Sequence, residues 1–107
     1  MKQYELMSIA KGSLNEESAR SLSNSIKDLL SANGARILNS NFWGKRRFAY
    51  EIKGQAEGWY EVMQFEAAEP LIGKIKQKLN IVDDLVRYLI INLADESVNG
   101  GKDGKKS

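Results

Sequence analysis

Three consecutive cations, Lys45, Arg46 and Arg47, sit among aromatic rings in the stretch Trp43-Gly44-Lys45-Arg46-Arg47-Phe48-Ala49-Tyr50. Those eight positions hold three of the chain's nine aromatic residues. Cations hold phosphate oxygens and flat rings rest on bases, so the mixture suits nucleic acid. Arg46 and Arg47 are the foremost candidates for phosphate contact, because a guanidinium pairs bidentately with phosphate. Lys45 adds charge with less directional geometry. A basic run is also what an edge strand carries to discourage aggregation. Residue types alone leave both readings open.

Composition narrows the chemistry. The chain has 107 residues, enough for one domain, and its 42% hydrophobic and 28% charged content is that of a soluble globular protein. No cysteine is present, which removes disulfides, thiolate nucleophiles and thiolate metal sites. Histidine is also absent, and with it the commonest general acid/base and transition-metal ligand. No cofactor is therefore expected, and catalysis would have to rest on carboxylates, lysines, arginines or tyrosines. The net charge of +2 and pI of about 8.9 are mild for a nucleic-acid binder. Binding should then be local, shared with a partner, or dependent on shape. No apolar run approaches a bilayer span of roughly 18–20 residues. The first residues lack a signal-peptide apolar stretch, and Glu16 and Glu17 argue against a transit peptide. No membrane partner and a cytoplasmic location are expected.

The elements that must position the basic run follow from periodicity. Residues 2–10 predict a strand with apolar members on both sides. Asn15 is an N-cap for a helix whose stripe is Ala19, Leu22, Ile26, Leu29 and Leu30, ending near Asn33 with Gly34 in the left-handed conformation. Residues 35–52 are strand-like but far longer than a usual strand of about 5–6 residues. Gly44 marks a bulge or bend there, which would set Lys45, Arg46 and Arg47 at a kink. Residues 53–58 predict a hairpin loop, and residues 59–66 a third strand. Pro70 opens a second helix with Leu71, Ile72, Ile75 and Leu79 on its buried side. Residues 85–93 are almost continuously apolar, which predicts a central strand covered on both faces. The polar segment Asp95 to Ser107 is expected to be a disordered tail beyond a domain of residues 1–94.

The order strand–helix–strand–strand–helix–strand is the α+β, ferredoxin-like split βαβ plan, a four-stranded antiparallel sheet with both helices on one face. The first and last strands are expected in the centre and the middle two at the edges. The other face stays open, and on one choice of phase it presents Met7, Ile9, Tyr60, Val62, Leu89 and Ile91, with Glu5, Gln64 and Arg87 among them. An apolar patch of that size marks an interaction surface, here a protein-partner face. A slip of one residue would exchange the two faces.

With the order in place, residues 1–94 resemble the bacterial small-subunit ribosomal protein six family. The resemblance is carried by Tyr4-Glu5, Gly34-Ala35, the block from Trp43 to Tyr50, Gly58 with Tyr60, Phe65, and Val86-Arg87-Tyr88. Many members have proline after the tyrosine of the central block, where this chain has Glu51. The resemblance implies a non-catalytic component of the small ribosomal subunit. It further implies binding to the central domain of small-subunit ribosomal RNA together with small-subunit ribosomal protein eighteen. A binder that shares its RNA site with a basic partner need not be strongly basic itself.

Other residues carry two readings each. Arg87 lies within an apolar strand and needs a partner, either RNA phosphate or a carboxylate such as Glu5. Lys2 begins the sheet near an end that could touch RNA, whereas Tyr4 reads as a core ring. Trp43 and Trp59 could stack on bases, although strand aromatics more often fill cores or protein interfaces. Phe48 and Tyr50 are expected in the core. Two rival functions share the fold. A free-standing RNA-recognition module would use Arg47-Phe48-Ala49-Tyr50 as a stacking motif, but it needs that motif on the third strand. A small-molecule-binding or catalytic domain would need a phosphate-cradling loop, a metal cluster or a nucleophile–base pair, and the sequence offers none of these. No small-molecule substrate is expected.

Overall fold

The computed structural model describes residues 1–93. The polar segment expected as a tail, Asp95 to Ser107, lies outside the described residues. Six elements follow the predicted order: β1 (Lys2–Lys11), α1 (Glu16–Ala32), β2 (Arg36–Ile52), β3 (Gln55–Ala67), α2 (Glu69–Asn80) and β4 (Leu85–Asn92). Among the described residues no helix is long and apolar enough to cross a membrane.

Local chemistry sets the ends of the helices. The Ser18 N–H donates to Asn15 Oδ1 at 2.8 Å, satisfying one of the backbone donors left free at the start of α1. Beyond its C-terminal end, Gly34 has φ +89°, and the Ala35 N–H returns to the Leu30 carbonyl at 2.9 Å. Pro70 stands in the first turn of α2, where its missing N–H costs nothing.

The four strands form one antiparallel sheet in the order β2-β3-β1-β4. This corrects the expectation that β4 is central and β3 an edge. Each strand–helix–strand crossover leaves room for one strand between its ends. Because the two crossovers interleave, β1 and β3 fill each other's gap and β2 and β4 are left outside. The apolar run of β4 is therefore not covered on both faces: Leu89 is 53% exposed.

Both helices pack on one face. Leu6, Met63 and Phe65 of the sheet meet Ile26 and Leu30 of α1 and Ile75 and Leu79 of α2, all fully buried. Each such side chain contributes roughly 1.5–3 kcal/mol through removal from water. Tyr4 stacks on Phe65 with ring centroids 5.6 Å apart, in the core as expected.

One polar residue interrupts this face. Glu61, opposite Ser8 and Phe42, is only 4% exposed beneath α1. Its Oε1 has no hydrogen-bond partner among the described residues, and Lys27 Nζ is 3.9 Å from Oε2. That ion pair is too long to offset burying a carboxylate. Replacing it with an apolar side chain of similar volume, Glu61→Leu, should stabilise the fold by about 1–3 kcal/mol. Thermal unfolding would show this as a rise of roughly 4–8 °C for each kcal/mol. A lowered midpoint would mean that Glu61 is satisfied in solution.

Candidate nucleic-acid and partner surface

The basic run lies on β2, and three irregularities in the β2–β3 pairing shape it. The second of these is the bend expected at Gly44. Phe42 pairs with Glu61 and Gly44 with Tyr60, so Trp43 is an extra residue on β2. Gly44 has φ +96°, a conformation that side-chain-bearing residues rarely adopt. Phe42 and Trp43 point to opposite faces as neighbours on a strand do, and the extra residue reverses the phase of the residues after Gly44. Phe42 stacks on Trp59 on the helix side at 5.9 Å, while Trp43 stacks on Tyr60 on the open side at 6.3 Å with an 8° interplanar angle. Arg20 of α1 caps the Phe42 ring at 4.4 Å, and the Trp59 indole N–H donates to the Leu14 carbonyl at 2.9 Å.

Beyond the bend the cations alternate in direction. Lys45 pairs with Trp59, with its ammonium 5.1 Å from the Trp59 ring centroid and 3.6 Å from a Glu57 carboxylate oxygen. Arg46 pairs with Gly58 and lies over the Trp43 ring, 5.9 Å from its centroid. Arg47 pairs with Glu57 along the ladder and is exposed, with no ion-pair partner among the described residues.

The third irregularity builds an arm. Arg47 pairs with Glu57 and Ile52 with Gln55, so Phe48 to Glu51 face the single residue Ala56. The arm closes in a two-residue turn at Lys53 and Gly54, with φ +50° and +79°. Residues 55–58, expected as loop, are thus the start of β3. Tyr50 rides on the bulged segment and is 64% exposed, which corrects its expected place in the core. Phe48 is half-buried on the open side, where its edge meets Tyr60 at 6.1 Å.

The other candidates fall into two groups. The register sets Met7 beside Val62 and Leu89, Ile9 beside Tyr60 and Arg87, and Glu5 beside Gln64 and Ile91. All six apolar candidates therefore share the face away from the helices. A groove of about 410 Å³ on that face is lined by Met7, Ile9, Tyr60, Arg87 and Leu89, and by Ile52 of the arm. Ile52 was not among the residues expected on this face, because the bulge from Phe48 to Glu51 breaks the alternation that leads to it.

Arg87 is exposed at the rim of this groove. It makes no ion pair with Glu5, which instead accepts from the Gln64 amide at 3.3 Å. Arg87 lies two residues from the Arg46 row and three strands across, roughly 16 Å at a strand spacing of about 4.8 Å. Lys2 is elsewhere. It pairs with Ala67 at the far end of β1, nine residues from the Arg46 row, or roughly 30 Å away. There its ammonium is 3.1 Å from a Glu69 carboxylate oxygen. Among the described residues no acidic cluster could hold a metal ion.

Gly58 fixes the arm to the sheet. A Cβ at that position would lie 2.7 Å from both Ile9 Cγ2 and Phe48 Cζ, and 2.8 Å from the Ala10 carbonyl oxygen. Backbone on one side leaves little room to yield. Gly58→Ala should destabilise the fold by about 1–3 kcal/mol, read by urea unfolding. A change below about 0.5 kcal/mol would mean that the arm packs loosely.

Comparison with known proteins agrees with this geometry. A family model described as ribosomal protein S6 matches residues 3–92. A protein of Symbiobacterium thermophilum, named small ribosomal subunit protein bS6, is 37% identical over 95 residues, 89% of this chain and 100% of that protein. One of the same name from Carboxydothermus hydrogenoformans is 38% identical over 91 residues, 85% of this chain and 95% of that protein. The crystal structure of 30S ribosomal protein S6 from Thermotoga maritima shares the fold, with a TM-score of 0.82 at 23% identity. That match covers 94% of this chain and 98% of the other.

Proposed function

Because the chain belongs to the ribosomal protein S6 family, we propose that it is a structural, non-catalytic component of the small ribosomal subunit in the cytoplasm. In this reading, residues 1–94 bind the central domain of the small-subunit ribosomal RNA together with small-subunit protein eighteen. The observation that carries the RNA half is the exposed cationic bend, where Arg46 and Arg47 project from an edge strand anchored by packed aromatics. Phosphate contacts of this kind position a protein on RNA without reading its bases. The partner half is supported by the apolar face on the opposite side from the helices.

A free-standing RNA-recognition module fits less well. Such a module stacks bases on rings of the central strands. Here the aromatic residue on that part of the open face, Tyr60, already has Trp43 stacked on it and Phe48 against it.

The double variant Arg46→Ala, Arg47→Ala should fold with stability within about 0.5 kcal/mol of the parent, since both side chains are exposed. Its binding to a central-domain RNA fragment, measured with protein eighteen present, should weaken. The slope of log affinity against log salt should fall by about 0.7–0.9 for each phosphate that the variant no longer neutralises. An unchanged affinity and slope at moderate salt would take these arginines out of the RNA site.

A further inference from the structure

The open face is apolar in the middle and charged at both ends of β1. Near the arm, Arg87 stands at the rim of the groove with no carboxylate partner among the described residues. Four residues along β1 from the row of Arg87, about 13 Å away, the carboxylate of Glu5 is half-buried on the same face. Between the two charges lie Met7, Val62 and Leu89. A guanidinium beside apolar surface loses hydration when that surface is covered, so whatever covers it must return a negative charge.

We propose that Arg87 belongs to the protein-partner interface rather than to the RNA site. Its counterpart is an amphipathic segment whose apolar stripe fills the groove and whose carboxylate meets Arg87. This rests on the partner reading given above and adds the chemistry and the direction of docking. A helix laid along β1 rises 1.5 Å per residue, so a cation about nine residues from that carboxylate would reach Glu5. The two opposite charges on the face set which way the segment runs. They also reject the reversed orientation, which would bring like charges together. Leu89 is the anchor point for the apolar stripe, since it is the most exposed large apolar residue of the patch.

The test is calorimetric titration of the full chain with purified protein eighteen, without RNA, and separately of the assembled pair with central-domain RNA. Arg87→Ala should weaken protein–protein affinity about tenfold. Leu89→Glu should abolish it, while circular dichroism stays that of the parent. If Leu89→Glu fails to fold, Leu89→Ser serves, with a weakening of about tenfold expected. RNA affinity of the assembled pair should keep its salt slope in Arg87→Ala. Intact protein–protein affinity in Arg87→Ala, with a lowered RNA salt slope, would assign Arg87 to phosphate and overturn the proposal. Unchanged affinity in the Leu89 variants would overturn docking on this face while leaving the choice of partner intact. Absence of any association by the parent chain would instead remove the partner reading, and this inference with it.

Discussion

The Tyr60 ring is the point on which the candidate surface depends. Trp43 stacks on it and Phe48 meets it edge-on, so one residue of a central strand holds both sides of a bent edge strand. Each aromatic pair contributes about 0.5–1.5 kcal/mol beyond its buried area. That is enough to decide the conformation of a short arm at the edge of the sheet. The extra residue at the Gly44 bend reverses the phase of the strand beyond it, so that Arg46 and Phe48 share the open face with Trp43 and Tyr60. With a regular ladder, Trp43 would still face the open side, but Arg46 would pair with Glu57 and turn to the helix side.

The same constraint separates two kinds of surface. Because the helices cover only one face, the sheet keeps an apolar face that the arm covers only at one end, over Ile9 and Tyr60. The cations gather just past the Gly44 bend of β2, and Arg87 stands across the sheet from them. A mildly basic protein thus concentrates positive charge where a phosphate backbone can approach, without raising its overall charge. The apolar middle remains for a protein. The two surfaces meet at the arm, so occupation of one by a partner would present the other in a fixed orientation.

Much of this was legible in the sequence, and the misses have physical causes. The element order, the helix caps and the Gly44 bend follow from local chemistry, because N-caps, helix-ending glycines and bulges each demand particular residue types. The phase of the open face stayed open in the sequence, because both sides of these strands carry apolar residues, and the register puts the six candidates on one face. Strand order was misjudged because the apolar run in β4 reads the same whether its outer face meets this chain or a different molecule. The start of β3 was placed too late because Lys53 adopts φ +50° without being glycine or asparagine. Tyr50 was assigned to the core because a bulge of four residues against one leaves no mark in the hydrophobic pattern. Lys2 was a candidate because it begins the sheet near an end that could touch RNA, and only the register shows that end to be the one far from the basic run.

The central claim is a division of labour between the arm and the open face. It is tested most directly by a cryo-electron microscopy map of the small ribosomal subunit containing this chain. The account predicts RNA phosphates within hydrogen-bonding reach of Arg46 or Arg47, and a protein segment covering Leu89 and the groove beside it. A map with the open face bare to solvent, or with RNA on that face and the arm turned away from any phosphate, would contradict it.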